Sequence, residues 1–144
     1  EPVADLVVRG VRLRGIEIPA AAVPLAIDEF PAVFIAAACA DGRTVLRGAE
    51  ELRHKESDRI EVMAQGLRAL GVAVETFDDG ISIEGGTLQG GTVDAEGDHR
   101  IAMSFAIAAL RATGPVTIRN ASAIATSFPT FAATARAAGL RIES

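Results

Sequence analysis

The chain has 144 residues, 49% of them hydrophobic but only 4% aromatic, with no Trp or Tyr, and it carries a formal charge of -5. That is enough apolar chain for one sizeable core. The acidic balance and the lack of aromatic stacking surfaces exclude nucleic acid and anionic membranes as natural partners. The single cysteine, Cys39, excludes an internal disulfide, and no apolar run reaches the roughly 18–20 residues that a spanning helix needs. A cytoplasmic setting fits these features, and the opening Glu1-Pro2-Val3-Ala4, without a Met, leads us to expect a piece of a longer protein.

Alternation at Leu6-Val7-Val8 and again over Leu13-Arg14-Gly15-Ile16-Glu17-Ile18 predicts two strands separated by the Arg9-Gly10 turn. An alanine-rich helix is predicted over 31–40, with Pro31 in its first turn and Asp41-Gly42 as its stop. Thr44-Val45-Leu46 reads as a strand. Asp58 and Glu61 have the spacing of a capping box, opening a second helix whose apolar face is Ile60, Met63, Ala64, Leu67 and Leu70. Gly71 ends it. Strands over 72–75 and 81–83 then flank Asp78-Asp79-Gly80, a hairpin turn in which Gly80 is expected to supply a positive φ. The run Gly85-Gly86-Thr87-Leu88-Gln89-Gly90-Gly91 lacks the Gly-Lys-Ser/Thr ending of a phosphate loop and is expected to be a flexible turn.

Sliding the chain over itself by about seventy residues repeats the pattern: Asp98 falls on Asp28 and Ser127 on Ser57. A buried helix is predicted over 101–110, a strand over 116–119, a helix over 129–138 ended by Gly139, and a strand over 140–143 matching 72–75. The expectation is an α+β fold, a single partial domain of two βαβαββ-like units with helices packed on a mixed sheet. The units fall at about 17–84 and 85–144, with 1–16 belonging to a preceding unit. Because each repeat buries its apolar face on a neighbour, a companion repeat is expected beyond this chain.

The informative polar residues lie just before or within the first turns of the predicted helices: Asp28-Glu29, Lys55-Glu56-Ser57-Asp58-Arg59 and Asp98-His99-Arg100. If those helices run side by side, their N-termini and free backbone N–H groups gather at one end and favour anions. Arg59 and Arg100 oppose the helix dipole, so their placement points to an anionic ligand. The plain alternative is that Asp58 and Asp98 are caps and the two arginines pair with them or with nearby acids at the surface, with Asp28 a helix cap as well. Glu56, between Lys55 and Arg59, is an acid/base candidate, and a solvated surface glutamate is the plain alternative. His54 and His99 have no metal-ligand spacing and no Cys or His partner, so no metal site is expected.

Two stretches, Glu50-Glu51-Leu52-Arg53-His54-Lys55-Glu56-Ser57-Asp58-Arg59 and Asp98-His99-Arg100-Ile101-Ala102-Met103-Ser104-Phe105, resemble the signatures of 5-enolpyruvylshikimate-3-phosphate synthases. Ile27-Asp28-Glu29-Phe30-Pro31 and Ile124-Ala125-Thr126-Ser127-Phe128-Pro129 extend the resemblance over nearly the whole chain, nearest to the glyphosate-tolerant bacterial class. It implies the enolpyruvyl transferase (inverse α/β barrel) architecture, two domains of three units each, and a reaction without metal or organic cofactor between phosphoenolpyruvate and shikimate 3-phosphate.

The resemblance further implies Asp28 as the acceptor of the shikimate hydroxyl proton and Glu56 as the donor to the phosphoenolpyruvate methylene. It implies Lys55, Arg59 and Arg100 as anion-binding residues, the two arginines on phosphoenolpyruvate. Glyphosate is the implied inhibitor, the remaining N-terminal part of the same enzyme the implied partner, and the full-length protein is expected to be a monomer. Thr126 stands where many family members carry Lys. Two other readings stay open: an enzyme like UDP-N-acetylglucosamine enolpyruvyl transferase, for which Cys39 in an apolar helix is a poor fit, and a non-catalytic repeat module.

Overall fold

The computed structural model describes residues 3–5 and 7–143. Of the first predicted strand, Leu6 lies outside these, and Val7 and Val8 are exposed and belong to no strand. Ordered pairing starts with the second: Arg14 and Glu17 form parallel bridges with Asp41 and Val45. Four backbone hydrogen bonds, such as Gly15 N–H to the Asp41 carbonyl at 2.7 Å and Ile18 N–H to the Val45 carbonyl at 2.9 Å, hold 13–18 along strand β1 (Arg43–Leu46). Between them lies helix α1 (Phe30–Ala38), a run of apolar residues with Pro31 in its first turn, where the missing N–H has no intrahelical partner to lose.

Helix α2 (Arg59–Ala69) follows, capped by the Asp58 carboxylate accepting from the Glu61 N–H at 3.0 Å. The other half of the expected capping box is not made. The Glu61 carboxylate turns instead to the Gln65 side chain, one turn along the same face. Ile60, Met63, Ala64, Leu67 and Leu70 are all fully buried, as their spacing predicts. Strands β2 (Ala73–Phe77) and β3 (Gly80–Glu84) form the predicted hairpin, and β3 pairs antiparallel with β1 to give the order β1-β3-β2.

Gly80 serves a purpose other than the one its turn position suggests. It is not among the residues of positive φ. Instead, a Cβ there would sit 2.0 Å from the Leu46 carbonyl oxygen, so glycine is required by the close approach of β1. The glycine-rich run is likewise pinned: Gly85 and Gly86 donate to the Gly42 and Ala38 carbonyls, Gln89 donates to the Leu70 carbonyl, and Leu88 is buried. Gly85 and Gly90 answer to backbone crowding, since a Cβ would meet the Ala40 oxygen at 2.0 Å and the Gly114 backbone at 2.8 Å respectively, whereas Gly86 has open space.

The second half repeats the crossover. Strand β4 (Gly91–Asp94) and strand β5 (Val116–Arg119) pair in parallel, with helix α3 (His99–Ala108) between them in sequence. Helices α4 (Ile124–Ser127) and α5 (Phe131–Ala137) follow, α4 being a turn of helix that periodicity did not signal. Residues 140–143 form no strand. A strand exists only through pairing, and among the described residues none pairs with these as a strand.

The core is shared by both crossovers. Phe30 and Phe34 stack at 5.8 Å within α1, and Phe105 of α3 packs on Gly66 of α2 so tightly that a Cβ on the glycine would lie 2.2 Å from the ring. Helices α1, α2 and α3 therefore touch one another closely, which fixes the relative positions of their N-terminal ends.

Candidate active site

Those ends converge. Arg59, the first residue of α2, extends its guanidinium to three carboxylates, each at the approach to a different helix or loop. Its Nε donates to Asp98 Oδ2 at 2.8 Å, Nη1 to Asp28 Oδ1 at 3.0 Å and Nη2 to Glu56 Oε2 at 2.6 Å. The side chains of Arg59 and Asp98 have no exposed surface, while those of Asp28 and Glu56 are 43% and 52% exposed. The Arg59–Asp98 pair is a rigid centre, because separating it leaves both charges unpaired in a low-dielectric setting.

Asp98 is the second half of that centre. It is the N-cap of α3, and its other oxygen accepts from the backbone N–H of Arg100 at 2.9 Å. Burial alone would raise its pKa, but the Arg59 hydrogen bond and charge and the two backbone donors of the α3 terminus outweigh burial and hold it below the ordinary aspartate value. Ser57 adds a longer hydroxyl contact at 3.3 Å.

Around Asp28 the arrangement is cationic. Besides Arg59, Lys55 Nζ lies 3.7 Å from Oδ1 and Arg100 Nη2 lies 3.8 Å from Oδ2, and Arg100 Nη1 donates to the Asp28 carbonyl at 3.1 Å. Burial pushes the Asp28 carboxyl up, and the Arg59 hydrogen bond together with the charges of Arg100, Lys55 and Arg59 brings it below its ordinary value. Lys55 is anchored by Glu51, whose hydrogen bond raises the ammonium pKa against the smaller effect of desolvation. All five sequence-predicted residues, Asp28, Lys55, Glu56, Arg59 and Arg100, thus share one patch.

The patch does not treat its cations alike. Arg59 is sealed by carboxylates, whereas the Arg100 side chain is 36% exposed and flanks a groove of about 220 Å3 that runs between α1 and α3 past Ala32, Ile35, Met103 and Ile107. His54 is exposed and His99 half-buried. Among the described residues, no group of three or more His, Cys, Asp or Glu side chains is arranged to hold a metal ion, and no helix is long and apolar enough to cross a membrane. Thr126 is exposed on α4.

Two residues of the patch carry more than their sequence positions suggest. Asp98 reads from sequence as a cap open to an arginine at the surface and proves to be the fully buried counter-ion of Arg59, 39 residues away in the chain. Arg53 lies inside the recognised motif without a role. Its partners are chiefly backbone carbonyls of the distant β2–β3 turn, which no side-chain pattern can announce.

Helix starts from two parallel crossovers deliver acids and cations to one polar patch, and the solved structures that share this fold are enolpyruvyl transferases. The comparisons specify it further. Residues 1–134 match the family EPSP synthase (3-phosphoshikimate 1-carboxyvinyltransferase). The chain is 64% identical over 143 residues to a 3-phosphoshikimate 1-carboxyvinyltransferase of Legionella pneumophila (strain Paris), covering 99% of this chain and 33% of that protein. It is 63% identical to the Methylococcus capsulatus protein of the same name, with the same coverage.

Among solved structures, EPSP synthase from Acinetobacter baumannii superposes with a TM-score of 0.89 at 56% identity, covering 92% of this chain and 32% of that one. The enolpyruvyl transferase NikO from Streptomyces tendae follows the same fold with a TM-score of 0.62 at 25% identity, covering 81% and 26%. The chain belongs to the EPSP synthase family, and it spans about a third of the length of the relatives it matches.

Proposed function

We propose that this chain forms part of an enzyme that transfers the enolpyruvyl group of phosphoenolpyruvate to the 5-hydroxyl of shikimate 3-phosphate, releasing phosphate. The observation that carries the reading is the Arg59 fork, which sets Asp28 and Glu56 on one guanidinium as two partly exposed carboxylates beside Lys55 and Arg100. In the addition step, Asp28 accepts the hydroxyl proton as the substrate oxygen bonds to C2 of phosphoenolpyruvate, and Glu56 delivers a proton to the methylene carbon. In the elimination step, Glu56 recovers a proton from the resulting methyl group, and Asp28 returns its proton as the phosphate leaves. Lys55 and Arg100 bind the anionic groups and oppose the developing charge. Arg59 joins them on phosphoenolpyruvate when Asp28 or Glu56 turns from it to the substrates.

The rest of the protein supplies the other wall of the site and the cover for the α1–α3 groove, where Ile107 is 44% exposed. The repeats divide near residue 85, and the pairing of 13–18 with β1 favours assigning those residues to the first unit. A cytoplasmic monomer, with glyphosate competing at the phosphoenolpyruvate subsite, completes the reading. Phosphate release by the full-length protein carrying this chain, supplied with both substrates, tests it. A Glu56→Gln variant should lose roughly 10²–10⁴-fold in turnover, the contribution typical of a positioned proton donor. A wild-type protein that releases no phosphate, or a variant as active as wild type, overturns it.

A further inference from the structure

We infer that Arg53 is a positioning residue for the enolpyruvyl transfer, acting through Asp58 and the 54–58 loop to hold Glu56 and Arg59 at their working geometry; this rests on the function proposed above. Residues 55–57 lie in no helix or strand, so the backbone ladder does not fix the segment that presents Lys55 and Glu56. It is fixed at both ends by arginines. On the far side is the Arg59 fork. On the near side, Arg53 Nε donates to the Asp78 carbonyl at 2.8 Å, Nη2 to the Phe77 carbonyl at 2.6 Å, and Nη1 to Asp58 Oδ2 at 2.6 Å.

That set of bonds ties three things together: the short 3-10 turn Glu50–His54, anchored below by buried Leu52; the end of the β2–β3 hairpin; and the N-cap of α2. Asp58 uses its other oxygen, Oδ1, for the Glu61 N–H. The cap and the Arg53 clamp therefore act on one carboxylate, and turning Asp58 would carry the start of α2, and Arg59 with it. A planar guanidinium suits two carbonyls and a carboxylate arranged around it, whereas an ammonium is a point charge with tetrahedral donors and cannot span all three.

The test uses the full-length protein with Arg53→Ala, Arg53→Lys and Asp58→Asn, the last keeping a capping residue while losing the charge that Arg53 meets. Each is assayed for kcat, KM and thermal midpoint, and Arg53→Ala is repeated in a Glu56→Gln background. Misplacing a catalytic group by ~1 Å can cost up to ~10²-fold. The expected result is accordingly a fall of about tenfold or more in kcat for all three, with KM changed less than about threefold, and a clearly smaller factor lost in the Glu56→Gln background because one of the two positioned groups is already gone. A purely structural role would multiply in that background by the same factor as in wild type, which overturns the inference, as do kcat values within about twofold of wild type for Arg53→Ala and Asp58→Asn. If the wild-type protein transfers no enolpyruvyl group, the functional reading fails. If wild type is active and the variants match it, only the positioning role fails.

Discussion

Arg59 Nε lies 2.8 Å from Asp98 Oδ2 with neither side chain exposed, so the first residue of α2 and the cap of α3 are locked to each other through a desolvated ion pair. The pair sets the distance between two helix starts, and it does so with the same guanidinium that holds Asp28 and Glu56. Replacing Arg59 with Met in the full-length protein keeps the bulk and removes the charge, leaving the Asp98 carboxylate buried with only Ser57 and backbone donors. Breaking a buried pair from one side destabilises by about 3–5 kcal/mol. Urea unfolding should report a loss of that order; a change under about 1 kcal/mol, the level of a surface pair, would mean that the pair is not holding the helices together.

Acid should unlock the same centre. The pKa values of Asp98 and Asp28 are held below the ordinary aspartate value in the folded chain, so the folded state binds fewer protons there than the unfolded chain does. Their stabilisation is therefore complete above the ordinary value, near ~4, and is lost as pH falls from there through the depressed folded values. Thermal midpoints of the full-length protein between about pH 6 and pH 2.5 should fall more steeply for wild type than for Asp98→Asn, which has no proton to take up at that position. Equal slopes would remove Asp98 from the explanation.

The fate of individual residues shows what the sequence could and could not disclose. The apolar face of helix α2 and its Asp58 cap are legible because both are local patterns, although the reciprocal Glu61 half of the capping box is not made, and the β2–β3 hairpin is legible for the same reason. Gly80 has the local pattern of a turn residue, while the crowding against Leu46 that requires it comes from a strand more than thirty residues away. The predicted strand over 140–143 failed for the converse reason, since its side-chain pattern is right but pairing is not a property of the segment itself. In the site, the motif residues were recognisable as a set. The sealing of Arg59 by three acids was not, because it depends on how far apart α1, α2 and α3 pack.

That packing distance can be probed at Gly66. Alanine in the middle of α2 would ordinarily add about 1 kcal/mol of helix stability. Here a Cβ would stand 2.2 Å from the Phe105 ring, and that ring is fully buried and cannot swing clear. Overpacking of this kind costs about 1–3 kcal/mol, so we expect Gly66→Ala in the full-length protein to be destabilising by chemical denaturation. If it stabilises, α2 and α3 have room to separate, and the rigid spacing of Arg59 and Asp98 loses its structural support.

The isolated chain should bind anions weakly and turn over nothing. Asp28 and Glu56 stand 43% and 52% exposed on one wall, with water free to solvate both carboxylates and any substrate laid against them. Proton transfer to carbon and stabilisation of developing charge both depend on a site from which bulk water is excluded, and the groove between α1 and α3 is open to solvent at Ile107, which is 44% exposed. Phosphate release by residues 1–144 alone, given shikimate 3-phosphate and phosphoenolpyruvate, should therefore equal that of the same chain carrying Glu56→Gln. Turnover above that control would mean that the Arg59-centred patch is sufficient by itself, and that the roles proposed for these carboxylates do not depend on exclusion of water by the rest of the protein.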